Sequence, residues 1–276
     1  MIDINHIKYI VTDLDGTLLN SSRAVSDYTI EVFKKIQFLG IRIILASGRD
    51  IKSVSQIGKL LNMSEYKNSC YICLNGLQLF DYKGDVLFEE KRLDYDDAKM
   101  IYEIGKKLGF NILFCFESKQ ILIICEEKPL NVYKSVTKNS IKINEFDDIP
   151  YDYFSKIKKI VLFQESSFVE KTMKDLEKSI GQRYEISKVE KEWLEINPKN
   201  ISKGHALKKF AKIYNIALDN VLVFGNGEND IEMIKSVKYG IATKNAFDIV
   251  KESAYEICDS HEKDGVAKYI EMLMRL

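Results

Sequence analysis

The feature that most limits the fold of this chain is an alternation of strands and helices that stops after Asp81 and resumes at Ile201. Over the first stretch, hydrophobic periodicity predicts a strand to residue 12, a helix over 26–39, a strand over 41–45, a helix over 51–61 and a strand over 70–74. Such a βαβαβ series favours a parallel sheet with helices on both faces. The two ends of the chain are therefore expected to form one α/β core.

The segment between residues 83 and 190 has a different pattern. Strand-like runs and polar turns surround two amphipathic helices, at about 94–108 and 167–181. This arrangement favours an α+β module with a largely antiparallel sheet. We therefore predict a core of residues 1–82 and 191–276 and an inserted domain of residues 83–190. An insertion at the carboxyl edge of the sheet would cover a ligand site like a lid.

Bulk composition argues against several classes of protein. The 276 residues carry 41 basic and 41 acidic side chains, so the balanced charge leaves no footprint for nucleic acid or an anionic membrane. No apolar stretch reaches the roughly 18 residues of a membrane span. Five cysteines, an odd number, do not suggest a disulfide framework. We expect a cytoplasmic monomer or small homo-oligomer whose partner is a small molecule.

The segment DLDGTLLN, at residues 13–20, closes the first predicted strand. The carboxyl end of such a strand is where open α/β sheets bind their ligands. Residues two apart in an extended chain point the same way, so Asp13 and Asp15 are expected to face one centre. Two carboxylates that close together favour a bound cation.

Three later segments place polar residues at corresponding positions. The tripeptide SGR at 47–49 follows the strand IRIILA, and GNGEND at 225–230 follows the strand VLVF. Lys203 opens a helix that Ser202 can cap. Carboxylates, a hydroxyl, a lysine and helix N-termini at one edge of a sheet suit a phosphate and its counter-cation.

Together these four segments resemble the four motifs of the haloacid dehalogenase superfamily of phosphotransferases. Their order, their spacing and the large insertion between the second and third are similar to its Cof-type (class IIB) sugar-phosphatase branch. The resemblance extends over essentially the whole chain and includes LNGLQLF at 74–80, EINPKNISKG at 195–204 and DGVA at 264–267. It implies a Rossmann-like parallel-sheet core with an inserted α+β cap domain of the C2B type, which would determine substrate specificity.

The resemblance also implies roles for individual residues. Asp13 would be the nucleophile that forms an aspartyl-phosphate, and Asp15 would protonate the leaving group and then activate water. Lys203 would offset the negative charge of the phosphoryl group. The other residues expected to line or brace the phosphate site are Thr17, Ser47, Gly48, Arg49 and Asn229.

Magnesium is the cofactor that the resemblance implies. It would bind Asp13, the carbonyl of Asp15 and the fourth motif, where the candidate ligands are Asn226 and Asp230. The family usually has an aspartate where this chain has Asn226. Asparagine offers a carbonyl oxygen without a charge. Either magnesium binds more weakly, or Asp230 becomes the charged ligand, or catalysis is lost and only phosphate-ester binding is retained.

We favour retained activity, because the nucleophile, the acid and the lysine are all present, and we expect Asn226→Asp to tighten magnesium binding. The predicted function is a magnesium-dependent phosphomonoesterase acting on small phosphorylated metabolites, most readily sugar phosphates. One alternative is a phosphomannomutase-like phosphotransferase, for which Arg92, Lys128 and Lys134 are candidates to bind a second phosphate. Another is a non-catalytic sugar-phosphate sensor, which Asn226 motivates.

Overall fold

The structure is a computed structural model, and it describes residue 2 and residues 4–117, 120–125 and 140–275. The chain divides into two compact units, Met1–Glu90 with Ile201–Leu276, and Lys91–Asn200. The chain leaves the first unit once and returns once, so the second unit is an insertion in the first. Lys128 and Lys134 lie outside the described residues.

The described residues form strands and helices that we number in chain order. The strands are β1 (Tyr9–Asp13), β2 (Arg42–Ala46), β3 (Cys70–Cys73), β4 (Gln78–Asp81), β5 (Val86–Glu89), β6 (Asn111–Phe116), β7 (Ile121–Ile124), β8 (Ser140–Lys142), β9 (Ile157–Phe163), β10 (Tyr184–Glu190), β11 (Trp193–Pro198), β12 (Val221–Gly225), β13 (Tyr239–Thr243) and β14 (Glu256–Cys258). The helices are α1 (Asp27–Phe38), α2 (Ile51–Leu60), α3 (Tyr95–Leu108), α4 (Ser166–Ile180), α5 (Lys203–Ile213), α6 (Ile231–Lys235), α7 (Asp248–Ser253) and α8 (Gly265–Met274). Among the helices described, we find none long and apolar enough to cross a lipid bilayer.

The first unit is built on an eight-stranded sheet in the order β14-β13-β12-β1-β2-β3-β4-β5. The strands from β14 to β3 run parallel, and β4 and β5 are antiparallel to their neighbours. Both faces are buried: Ile10 of β1 packs in one apolar cluster, and its neighbours Tyr9 and Val11 pack in another. Burial on both faces is typical of parallel sheets covered by helices. The predicted α/β core is confirmed.

Both domain boundaries in the structure differ from the predicted ones. The strand β5 pairs antiparallel with β4, with Gln78 opposite Glu89, so the first unit extends to Glu90 rather than to residue 82. At the other end, β11 pairs with β10 and β9, so the second unit continues to Asn200 rather than to residue 190. Both segments have a strand-like pattern in the sequence, but strand character alone does not say which sheet a strand joins.

The second unit is a six-stranded sheet in the order β10-β11-β9-β6-β7-β8. All its pairs are antiparallel except β7 with β8. The helices α3 and α4 share an apolar cluster with the sheet, in which Ile101 and Leu176 meet Phe114 and Leu162. This is the α+β insertion with a largely antiparallel sheet that the sequence pattern predicts.

Candidate active site

The chain turns sharply where β1 ends. The backbone N–H groups of Thr17, Leu18 and Leu19 all donate to the carbonyl of Leu14, at 3.3, 3.1 and 2.9 Å. Gly16 within this turn has a φ of 78°. The extended geometry assumed for Asp13 and Asp15 therefore ends at Asp13, and the two carboxylates have different surroundings. The Asp13 side chain is 7% exposed and that of Asp15 is 50% exposed.

The buried carboxylate of Asp13 is paired with a buried lysine. Lys203 Nζ lies 2.6 Å from Asp13 Oδ1 and 2.7 Å from Asp230 Oδ1, and all three side chains are buried. Lys203 is the first residue of α5, whose N-terminus is capped by Ser202: the serine Oγ accepts from the N–H of His205 at 2.9 Å. The cap fixes where the helix begins and so where the lysine enters the site.

With both carboxylates ionised, this cluster carries one negative charge more than positive. Burial raises the pKa of Asp13, Lys203 lowers it and the charge of Asp230 raises it, and together they bring it to about 7. Burial alone would lower the pKa of Lys203, but attraction to Asp13 and Asp230 outweighs burial and raises it. Lys203 is therefore a permanent cation between two carboxylates, and a further positive charge would stabilise the cluster.

Both carboxylate oxygens of Asp230 already accept hydrogen bonds. Its Oδ1 accepts from Lys203, and its Oδ2 accepts from the backbone N–H groups of Asn226 and Gly227 at 2.9 and 3.0 Å. Since both oxygens already have partners, Asp230 positions the lysine and the loop. This arrangement favours Asn226 over Asp230 as the candidate metal ligand of the fourth motif.

The side chain of Asn226 lies beside both oxygens predicted to bind the metal, Asp13 Oδ2 and the backbone carbonyl oxygen of Asp15. In the amide orientation that satisfies its neighbours, Nδ2 is 3.2 Å from Asp13 Oδ2, 3.0 Å from the carbonyl of Asp15 and 2.8 Å from Thr17 Oγ1. A Cβ on Gly16 would come within 2.6 Å of this amide. Glycine at position 16 therefore provides the space in which Asn226 reaches both oxygens.

The oxygens at this point fit a magnesium ion. If the amide turned by half a rotation, Oδ1 would accept from Thr17 Oγ1 at 2.8 Å and join Asp13 Oδ2 and the Asp15 carbonyl, at spacings of 3.2 and 3.0 Å. Adjacent oxygen ligands of octahedral magnesium are about 2.9 Å apart, given Mg–O distances of 2.0–2.1 Å. Only one of these ligands is a carboxylate side chain, and the described residues contain no cluster of three His, Cys, Asp or Glu side chains suited to a metal.

The second motif connects to the first through an ion pair. Arg49 Nε donates to Asp15 Oδ2 at 2.8 Å, and its Nη2 makes a second, shorter contact with Oδ1. Ser47 is 1% exposed, and its Oγ accepts from the N–H of Arg49 at 3.2 Å. The hydroxyl of Ser47 thus retains its own proton to donate to a ligand.

Asn75 belongs to this site, although sequence reasoning gave it no role. It is 2% exposed with a φ of 53°. Its Oδ1 accepts from Asn229 Nδ2 at 3.0 Å, and its backbone N–H donates to the carbonyl of Ser47 at 3.1 Å. A Cβ on Gly48 would lie 3.2 Å from the same Oδ1, so the tripeptide 47–49 passes close by. The signal in the sequence was an Asn-Gly pair directly after a buried strand.

The predicted site residues therefore form two connected groups. One contains Asp13, Thr17, Lys203, Asn226 and Asp230, and the other links Ser47 and Gly48 to Asn229 through Asn75. The Asp15–Arg49 pair joins the first motif to the second. These residues end or follow parallel strands of the first unit, or open one of its helices.

Comparison with known proteins shows which family this sequence matches. Residues 10–270 match the sequence profile of the haloacid dehalogenase-like hydrolases. The 5-amino-6-(5-phospho-D-ribitylamino)uracil phosphatase YcsE of Bacillus subtilis (strain 168) is 27% identical over 264 residues, 96% of this chain and 94% of that protein. A provisionally named phosphatase of Buchnera aphidicola subsp. Baizongia pistaciae is 30% identical over 276 residues, 95% of this chain and 97% of that protein.

A solved structure agrees with the sequence matches. The crystal structure of a haloacid dehalogenase-like hydrolase from Bacteroides thetaiotaomicron superposes with a TM-score of 0.77 at 26% identity. The superposition covers 97% of this chain and 99% of that one. The similarity thus includes the inserted unit as well as the parallel core.

Proposed function

Because this chain belongs to the haloacid dehalogenase-like hydrolase family, we propose that it is a magnesium-dependent phosphomonoesterase of small phosphorylated metabolites, with sugar phosphates as the leading class. That it is a phosphatase follows from the family and from its phosphatase relatives. The metal, the substrate class and the covalent mechanism are our proposal. The observation that carries it is the buried Lys203 between Asp13 and Asp230, beside two oxygens suited to a cation.

In the proposed mechanism, a carboxylate oxygen of Asp13 attacks phosphorus and the bond to the leaving oxygen breaks. Asp15, in its protonated form, gives its proton to that oxygen and then takes one from water. The resulting hydroxide attacks phosphorus and releases inorganic phosphate and the Asp13 carboxylate. Covalent catalysis of this kind divides one difficult displacement into two easier ones.

Lys203 is placed to stabilise the phosphoryl group. An ammonium has three N–H donors, and the two carboxylates take one each. The third can donate to a phosphoryl oxygen in the low dielectric of the buried site, where such a contact is strong. Magnesium held by Asp13, the Asp15 carbonyl and Asn226 would add positive charge at the phosphate.

Asp15 must leave Arg49 before it can act as an acid. Arg49 contacts both oxygens of the Asp15 carboxylate. A phosphate is a strong bidentate partner for a guanidinium, so an incoming substrate competes for Arg49. We propose that substrate binding draws Arg49 to the phosphate and releases Asp15 for proton transfer.

The test is phosphate release from a panel of sugar phosphates, nucleotides, an aryl phosphate and a ribitylaminouracil phosphate, with magnesium and with EDTA. The last substrate is included because of the name of the Bacillus relative. We expect magnesium-dependent release that falls at least about 1000-fold in Asp13→Asn. Asp219→Asn, at an exposed carboxylate, is the matched control and keeps wild-type activity.

A non-catalytic sensor of phosphate esters is the second candidate, because the third magnesium ligand is an uncharged amide. Substrate binding by calorimetry with no release from any member of the panel would establish this alternative and exclude the phosphatase.

The mutase alternative has less support, since Arg92 pairs with Glu117 at 2.6 Å and Lys128 and Lys134 are not described. That the second unit selects the substrate, and that the protein is cytoplasmic and a monomer or small homo-oligomer, stay predictions.

A further inference from the structure

The side-chain amide of Asn226 contacts the same two oxygens that fit a magnesium ion. In the amide orientation that satisfies its neighbours, Nδ2 is 3.2 Å from Asp13 Oδ2 and 3.0 Å from the carbonyl of Asp15, and in the opposite orientation Oδ1 takes that position. The carbonyl is an acceptor only, and so is the buried carboxylate of Asp13 in its ionised form. A buried acceptor without a donor destabilises the folded protein, so these two contacts stabilise the metal-free site.

We propose that Asn226 is an internal substitute for the metal: its NH₂ group satisfies Asp13 and the Asp15 carbonyl in the metal-free protein, and the amide turns to offer Oδ1 when the cation binds. This inference rests on the proposed magnesium site and goes beyond it, because it assigns Asn226 a second role that a carboxylate cannot perform. Thr17 supports both orientations. Its hydroxyl lies 2.8 Å from Nδ2 in one, and in the other it donates to Oδ1 at the same distance.

The charges around position 226 explain why the substitution matters. Asp13 and Asp230 share one ammonium, that of Lys203, so the buried cluster has an excess negative charge when both carboxylates are ionised. A carboxylate at position 226 would place a third negative charge about 3 Å from Asp13 with no donor between them. The metal-free site would then depend on a cation, whereas the amide makes it independent of one.

The proposal has a consequence for metal affinity. Magnesium must displace two hydrogen bonds and gains a neutral ligand instead of a charged one. We expect wild-type protein to bind magnesium about tenfold more weakly than Asn226→Asp, a difference of about 1.4 kcal/mol. Magnesium should therefore raise the thermal midpoint of wild-type protein less than that of Asn226→Asp.

The experiment measures thermal unfolding in EDTA and in magnesium, and magnesium binding by calorimetry, without substrate. In EDTA, Asn226→Asp and Asn226→Ala should both unfold about 3 °C or more below wild type, because each removes the NH₂ donor. Magnesium should raise the thermal midpoint of Asn226→Asp more than that of wild type. It should not bring the midpoint of Asn226→Ala back to the wild-type value. Gln56→Glu, the same change from amide to carboxylate at an exposed residue of α2, is the control and should behave as wild type.

A wild-type midpoint in EDTA for either Asn226 variant would overturn the proposal. If Asn226→Asp fails to fold without magnesium, Asn226→Ala decides, since it adds no charge. The readouts use no substrate, so they separate this inference from the proposed function. If the midpoints change as expected but the protein releases no phosphate, the role of the amide is supported and the proposed phosphatase is not. If the protein is active but the midpoints of the variants equal that of wild type, the phosphatase is supported and the role of the amide is not.

Discussion

At the scale of single residues, Lys203 is the side chain on which the site most depends. It is 1% exposed and bonded to two buried carboxylates. Removing one partner of a buried ion pair costs about 3–5 kcal/mol, because the remaining charge has lost its compensation. Stability and chemistry are therefore coupled at this residue, and its variants must be assayed for both.

We predict that Lys203→Met lowers the free energy of unfolding by about 3–5 kcal/mol, measured by urea denaturation. Lys208→Met on the same helix is the control, because that lysine is 51% exposed and its ion pair with Glu232 contributes at most about 1 kcal/mol. The double variant Lys203→Met/Asp230→Asn should recover part of the loss, since it removes one uncompensated charge. A double variant less stable than the single one would contradict this explanation.

Asn75 is predicted to position the phosphate-binding groups. Replacing it with alanine removes the hydrogen bond to Asn229. It also places a residue that has a Cβ, but no polar side chain, at a φ of 53°. Asn75→Gly removes the same contact but relieves the backbone strain. We expect both variants to lose about tenfold in kcat/KM, while only the alanine variant loses stability. Full activity in Asn75→Gly would show that Asn75 acts only through the backbone.

At the scale of elements, the site depends on how closely the loop after β3 approaches the start of α5. Residues 74–76 have φ values of 50°, 53° and 99°, so three successive residues are left-handed. A Cβ on Gly76 would clash with the backbone carbonyl of Ser202. The loop that carries Asn75 is thereby pressed against the N-terminus that carries Lys203.

Gly76→Ala should therefore destabilise the protein by more than about 3 kcal/mol, since it adds overpacking to an unfavourable φ. Gly84→Ala separates the two effects. Gly84 has a φ of 96°, and a Cβ added there would meet no other atom within 4 Å, so its substitution should cost only about 1–2 kcal/mol. Denaturant unfolding measures both, and equal losses would exclude the close approach as the cause.

At the scale of the whole molecule, each unit has its own buried core. The second unit buries an apolar cluster that includes Ile101, Phe114 and Leu162, and the catalytic candidates all belong to the first unit. A separate core is the condition for independent folding of a domain. The second unit therefore meets this condition by itself.

We predict that residues 91–200 expressed alone fold cooperatively and release no phosphate from any ester. Leu162→Ala, at a side chain with 0% exposure, should destabilise this fragment by about 2–5 kcal/mol. Circular dichroism during thermal unfolding measures the fragment and its Leu162→Ala variant. A fragment without a cooperative transition would show that the second unit needs the first in order to fold.

The parallel core, the antiparallel insertion and the identity of the motifs could be predicted from the sequence alone, because hydrophobic period and residue type are local properties. The sheet that β5 joins, the pairing of Asp15 with Arg49, the role of Asn75 and the engagement of Asp230 were decided only by the tertiary structure. Each depends on a partner distant in the chain or on how a loop closes on itself. The amide of Asn226 shows the difference most clearly: its residue type signals a missing charge, and only the tertiary structure places it beside Asp13 Oδ2 and the Asp15 carbonyl.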